Sequence, residues 1–473
     1  MRRGGILRPT APTVFCGADS RHRRRGAAVT MRPLADLPLA AAVGLVHALV
    51  DDLARGAGIR ALFLKGPIAD AHRIRRPHPS SDADVLVAPG DADRLLTLLG
   101  ERGWSVRPGS AAHRAFVTHS ITLLHPSWPC DIDVHTSWPG FFVDPQLAFE
   151  VLWRTRCEIV VAGVPVRAIG FDTSVVVSAL HSLRSPYQQR SEEEFEELVA
   201  VVAAQGREES VVARAAELGC LEPIAPFLAR IGRTVALPAR PSRQYALWRL
   251  RTRRPSRTAD WLLAIVQAPT LAERLVVLRR ALHPTGRDLV IDHPLLPPTA
   301  SARLAMRARR FVAAMRALLP AIQDLVAVRR ASPLGADPIA APRLAPGRTA
   351  PAGGAPAPVP VTERTAPAAK TVVDGARTSC RPSATGSHVA AMATPQGLYL
   401  LPLGAAAEAQ PVVLKGSARL LWERFSAQDA HSRAGAAEVV HAADDLGDVL
   451  DDGRRAEIEQ LLDELVELGL LAA

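Results

Sequence analysis

The sequence predicts an α+β protein made of more than one unit, and three observations carry that expectation. Strand-like runs at 61–64, 82–87 and 131–135 alternate with stretches of helical period in the first part of the chain. From residue 208 to about 330 the pattern is helical throughout. A Pro-, Ala- and Gly-rich stretch over 333–385, which cannot build a packed core, then precedes a final segment (386–473) of three short strand-like runs and helices. With 473 residues and 48% apolar content the chain can support two or three cores.

Residues 1–30 lack apolar periodicity and carry seven arginines against one aspartate, so a disordered basic N-terminus is expected, with Met31 as an alternative start. Residues 37–55 give an amphipathic helix ended by Gly56 and Gly58; His47, Asp51 and Asp52 set it apart from a secretion signal. The strand at 61–64 ends in Lys65 and a Gly66-Pro67 turn. A short helix covers 68–74, and Pro77-His78-Pro79 breaks the chain before the strand at 82–87. A helix over 91–102, striped by Leu95, Leu98 and Leu99, ends at Gly103-Trp104. Strands follow near 105–107, 113–117, 121–124 and 131–135, and 158–161 with 164–169 form a hairpin about Ala162-Gly163. Helices over 172–183 and 192–202 close a core at 31–204. Residues 205–332 make a helical lobe rich in arginine, including Arg249, Arg251, Arg253, Arg254, Arg279 and Arg280.

Side chains two apart in a strand share a face, so Asp82 stands with Asp84, and Asp131, Asp133 and His135 stand opposite Ile132 and Val134. Carboxylates held side by side repel unless a cation or proton lies between them. Acidic residues on adjacent strands beside a glycine turn suit divalent metal and polyphosphate. By the same argument, Asp84→Asn is expected to relieve repulsion and leave the fold at least as stable. His113, His119 and His125 are irregularly spaced and read as ordinary strand or surface histidines. For His135, ligand contact and a structural hydrogen bond both stay open. The glutamates within 192–197 read as a solvated helix face.

The ordered set Leu64-Lys65-Gly66, a short helix, Asp82-Ala83-Asp84-Val85-Leu86-Val87, Gly103-Trp104 and Asp133-Val134-His135 resembles the uncharacterised nucleotidyltransferase family of the DNA polymerase β superfold, over roughly 33–204. The resemblance implies a polymerase β-like core, an NTP substrate and two Mg²⁺ ions. Asp82 and Asp84 would bridge the ions, and Asp133 would ligate the one that activates the acceptor. Lys65 would neutralise the outer phosphates, Gly66 would let backbone approach them, and His135 would contact the nucleotide. This chain departs from the family at two places. Pro67 stands where a serine is common and offers neither hydroxyl nor N–H. Ala83 stands where a larger apolar residue is usual.

In the final segment, strands are expected at 388–393, 397–401 and 411–414. A helix from Ser417 carries Leu420, Leu421, Trp422 and Phe425; a second covers 436–443; a third carries Ile458, Leu461, Leu462, Leu465 and Leu468 and stops at Gly469. This winged-helix-like pattern resembles the PqqD-like family, peptide-binding chaperones of pyrroloquinoline quinone biosynthesis. The resemblance implies that the segment binds the leader of a ribosomally made precursor peptide by adding it as a strand, with other peptide-modifying enzymes as further partners. The stretch over 333–385 would then carry it as a mobile arm above the core, without a fixed interface.

Net charge is +10, yet residues 386–473 hold six basic against fourteen acidic residues, which argues against nucleic acid as that unit's partner. Five scattered cysteines without metal-ligand spacing argue against structural zinc and a disulfide framework, and point to a reducing cytoplasm; no membrane association is expected. Together these readings predict an Mg²⁺-dependent nucleotidyltransferase that modifies a ribosomally made peptide or related natural product. The alternatives are a non-catalytic adaptor with a degenerate core, or a transferase directed at tRNA or a toxin target.

Overall fold

The computed structural model describes residues 29–30, 37–112, 119–184, 188–253, 257–293, 295–297, 299–331, 389–404, 410–415, 417–427, 452–467 and 470–471. The basic N-terminus up to residue 28, the strand expected at 113–117, the stretch over 333–385 and the helix expected at 436–443 lie outside them.

In chain order the first elements are β1 (Val29–Thr30), α1 (Leu39–Gly56), β2 (Ala61–Phe63), α2 (Pro67–Ala71), β3 (Asp82–Val87) and α3 (Ala92–Glu101). Then come β4 (Ser105–Val106), β5 (Ser120–Leu124), β6 (Asp131–His135), α4 (Pro145–Arg154), β7 (Cys157–Val161) and β8 (Val164–Ala168). A seven-stranded mixed sheet has the order β4-β5-β6-β3-β2-β8-β7. β3 pairs parallel with β6, and β2 pairs antiparallel with β3. β3 is central and carries an almost unbroken buried run, as a strand covered on both faces should. The sequence reading missed α4, although Asp144 followed by Pro145 is a helix-start pattern; the Asp144 carboxylate accepts from the N–H groups of Gln146 and Leu147.

Helices α5 (Phe171–Arg184), α6 (Gln189–Gln205), α7 (Glu208–Glu217) and α8 (Leu221–Arg230) follow. Val211, Ala215, Leu218, Phe227 and Ile231 belong to the same hydrophobic core as Phe63 and Val85, so the core packing continues past residue 204. The remaining lobe holds α9 (Arg243–Arg253), α10 (Arg257–Gln267), α11 (Leu271–Leu282), α12 (Gly286–Asp292) and the 31-residue α13 (Ala300–Arg330). Its own core is small, centred on Leu250, Ala259, Ala321 and Val328. By length and composition α13 is the one helix among the described residues that could cross a membrane.

Among the described residues the C-terminal unit holds β9 (Val389–Thr394), β10 (Gly397–Pro402), β11 (Val412–Leu414), α14 (Ser417–Ala427) and α15 (Asp452–Glu467). Strand alternation gives its sheet two apolar faces. Leu398, Leu400, Val412 and Leu414 pack with Trp422, Leu461 and Leu465 of α14 and α15. Ala390, Tyr399, Leu401 and Leu403 join the main core. The helix they meet is α1, on which the whole run from Ala41 to Asp51 is buried. Gly44 makes room for Met392: a Cβ there would sit 2.8 Å from its sulfur. Gly404 N–H donates to Asp52 Oδ2 (2.8 Å), and Ala391 N–H donates to Ala162 O (2.8 Å). The arm without a fixed interface is therefore corrected. The C-terminal sheet is seated on α1, because one of its faces is as apolar as the other.

Candidate active site

Pairing of β3 with β6 places Asp82 beside Asp131, Asp84 beside Asp133 and Leu86 beside His135. The two acidic faces thus meet on the same side of the sheet, next to the end of β2 that carries Lys65. Asp84 is buried, and both its oxygens are engaged: Lys65 Nζ is 3.0 Å from Oδ2, and His135 Nε2–H donates to Oδ1 at 2.9 Å. Burial would raise this carboxyl, but Lys65 and then His135 more than offset it and hold it well below the usual carboxylate range.

Asp82 is less enclosed, and among the described residues Lys65 acts on it only through space. Burial, followed by repulsion from Asp84, pushes its carboxyl up to about 6, with Lys65 offsetting part of the rise. Asp131 is tied to Arg107 rather than turned to the acidic pair alone. Lys65 also lies 5.0 Å above the ring of Trp138, which in turn packs 5.1 Å from His135. His119 stacks 6.0 Å from His135, and its own proton affinity is lowered to about 3 by burial and by Arg184, His135, Arg251 and Lys65. It belongs to the site despite its irregular spacing in sequence.

The donor set suits a divalent cation. Ligand atoms of Asp84, Asp133 and His135 all lie within 4.8 Å of one another. Asp133 Oδ1 and His135 Nδ1 are buried without a hydrogen-bond partner among the described residues, and a cation would satisfy such atoms. Asp82 is outside that cluster, whereas the sequence reading had paired it with Asp84 as a ligand.

Lys65, Gly66, Asp82 and Asp84 line a cleft of about 460 Å³. Its far wall is α5 and α6, through Ser178, His181, Ser182 and Arg190; Leu39, the first residue of α1, lies at its edge. Gly66 adopts φ +55°, a conformation that favours glycine, and its missing Cβ would lie 3.1 Å from Ser80 Oγ. Arg75 locks this corner, donating to Asp70 Oδ1 (2.7 Å), Gly66 O (3.1 Å) and Ser80 Oγ (3.2 Å). Ser80, Ser81, Ser178 and Ser182 give the cleft hydroxyls where Pro67 gives none. The sequence reading missed Arg75 and these serines. For Arg75, Ser80 and Ser81 the available signal was a short polar loop, Arg75-Arg76-Pro77-His78-Pro79-Ser80-Ser81, running straight into the acidic strand.

The loop over 76–78 is held to α6 by Arg76, whose side chain and N–H both meet the Glu197 carboxylate. Glu197 is therefore a fastener of the cleft wall rather than part of a freely solvated face.

Residues 42–234 match the family model described as an uncharacterised nucleotidyltransferase. No curated protein matches the chain. Among solved structures, the antibiotic-resistance factor ANT(2'')-Ia is similar at 15% identity, over 38% of this chain and 96% of its own, with a TM-score of 0.27. An antigenic nucleotidyltransferase-like protein from Paracoccidioides brasiliensis is similar at 13% identity, over 44% and 97%, with a TM-score of 0.26. A tRNA nucleotidyltransferase complexed with a primer tRNA and an incoming ATP analog is similar at 15% identity, over 59% and 93%, with a TM-score of 0.19. Residues 42–234, the part that carries the acidic strands and the cleft, are thus similar to the uncharacterised nucleotidyltransferase family.

Proposed function

We propose that the chain transfers a nucleotidyl group from an NTP to an acceptor oxygen on a peptide. The observation that carries this reading is the meeting of Asp84, Asp133 and His135 beside Lys65, next to a hydroxyl-lined cleft. Asp84, Asp133 and His135 would hold divalent metal, Mg²⁺ by the hardness of the carboxylates. Such an ion supplies charge neutralisation for the entering and leaving oxygens at the α-phosphorus.

The rest is the work of the chain's own groups. Lys65, a point charge at the cleft floor, binds the outer phosphates once its hold on Asp84 is relaxed. Ser80 and Ser182 donate to phosphate oxygens, and Arg75 keeps the Gly66 corner open for them. Trp138 excludes water from the Lys65 side. Asp82, exposed to the cleft and weakly acidic, is placed to receive the proton of the acceptor hydroxyl. The new bond forms between acceptor oxygen and α-phosphorus as the bond to pyrophosphate breaks.

The peptide as acceptor rests on the strand pattern of the C-terminal unit, its sheet edge and its acidic balance. The test is incubation with α-labelled and γ-labelled NTP, with and without Mg²⁺, and with candidate precursor peptides. Label from the α-position on a peptide, lost on Asp133→Asn, supports the reading. Absence of NTP binding under all conditions would favour the adaptor instead.

A further inference from the structure

The helical lobe leaves much of its apolar surface bare. On α13, Leu304, Phe311, Met315, Leu319, Ile322 and Val326 recur at helical spacing and form one exposed row along most of the helix. An eighteen-residue stretch of α13 is as apolar as a membrane span, yet only 11% of it is buried. The inward face is in use, since Ala321 and Val328 pack with Leu250 of α9 and Ala259 of α10. The outward row has no cover among the described residues. The same pattern recurs on α11, where Leu271, Leu275, Leu278 and Leu282 make a second exposed row. Contiguous apolar surface of this kind marks a binding face.

Charge indicates what the face meets. Residues 243–330 hold seventeen arginines and no lysine against five acidic residues, an excess larger than the net +10 of the whole chain. Two of the five acids are already engaged: Asp292 by Arg257 and Arg310, and Asp288 in the cap of α12. At about 100° per residue, Arg309 and Arg316 fall beside the α13 row, and Arg274 and Arg279 fall on either side of the α11 row. A second copy seated row on row would set these arginines against their own images, which argues against self-pairing. We infer that the exposed row of α13 rests in the interface of a bilayer with anionic headgroups. The row enters the acyl boundary while the flanking guanidinium groups reach up to the headgroups. The helix lies along the surface rather than crossing it: its inner face stays on α9 and α10, and Arg309, Arg310 and Arg316 interrupt the run that a crossing needs. This departs from the sequence expectation of no membrane association, since sequence does not show which face of α13 the lobe covers. It goes beyond the nucleotidyltransferase reading and does not rest on it.

The test floats the full chain with vesicles of phosphatidylcholine alone, and with vesicles of phosphatidylcholine and phosphatidylglycerol in equal parts. Binding to the anionic vesicles should exceed binding to the neutral ones by at least about tenfold and weaken as salt rises. Phe311→Ser with Leu319→Ser should lower it by at least about tenfold. Both side chains are exposed, so the thermal midpoint of that variant should hold. Arg309→Gln with Arg316→Gln should bring anionic binding toward the neutral level at low salt. Leu147→Ser, at a similarly exposed leucine on α4, should change nothing. Equal uptake by both kinds of vesicle, no uptake by either, or full uptake of the serine variant would overturn the inference. So would a chain that ignores vesicles and instead pairs through Phe311 and Leu319 with a second copy or with a Leu- and Glu-rich amphipathic helix.

Discussion

Lys65 Nζ sits 3.0 Å from Asp84 Oδ2, so the lysine that follows β2 neutralises the carboxylate at the centre of β3. The two residues are nineteen apart in sequence and joined only through the antiparallel pairing of their strands. This contact reverses one expectation from the sequence. A crowded acidic cluster suggested that removing the Asp84 charge would help the fold. The structure gives that carboxylate two partners, Lys65 and His135.

Asp84→Asn should therefore cost about 2 kcal/mol, because it leaves Lys65 in a largely enclosed site without its counter-charge. Asp82→Asn should do the opposite in the metal-free protein. A carboxyl raised to about 6 resists ionising in the folded state, so its penalty is absent at acid pH and present above about 6. At pH 7 the amide should gain about 1–2 kcal/mol. Urea unfolding of the two variants checks the opposed signs; a common sign would remove this account of the pair.

Lys65→Ala should raise the KM for nucleotide more than it alters that for the acceptor. It should also destabilise by about 2 kcal/mol, since Asp84 then relies on His135 alone. The double variant Lys65→Ala with Asp84→Asn should recover part of that stability. The coupling energy from the four proteins measures the pair directly.

Acid should loosen the protein through His47. It is fully enclosed, its Nδ1–H donates to Val43 O at 2.7 Å, and burial lowers its pKa to about 4 despite that bond. An unfolded histidine protonates near 6.5, so the stability at stake is whole above that pH and is lost as pH falls toward about 4. The loss from this residue should reach about 2 kcal/mol at pH 5. His47→Gln should flatten the pH dependence of the urea midpoint between pH 7 and 5, and an unchanged slope would assign the acid sensitivity elsewhere.

Seating of the C-terminal sheet should depend on Gly44. Alanine there meets only the flexible end of Met392 and should be tolerated, with any strain offset by helix propensity. Gly44→Leu should lift β9 and β10 from α1 without touching the cleft. Hydrogen exchange should then rise across Val389–Thr394 and Gly397–Pro402 while NTP binding is kept.

Much of the site was legible because a strand has a period of two. That alone put Asp82 with Asp84 and Asp133 with His135 on common faces. Which faces meet was not legible, because the parallel register of β3 on β6 is a contact between distant segments, set by the packing of the whole sheet. His119 illustrates the gap: nothing local marks it, and it joins the site only because β5 pairs with β6. The seating of the last sheet left one trace in sequence. The stretch expected as an amphipathic helix is apolar on every side from Leu39 to His47, with Gly44 and several alanines, and such a helix needs cover on more than one side.

That shared helix changes what counts as a separable part of this protein. A cut anywhere in the Pro- and Ala-rich stretch looks harmless in sequence, yet the fragment it releases would open Tyr399, Leu401 and Leu403 to water, and the piece left behind would bare one side of α1. Both fragments would then carry the sort of contiguous apolar patch that drives aggregation. Insolubility of either half would report the loss of a common wall and say nothing against the ability of the intact chain to fold or to bind.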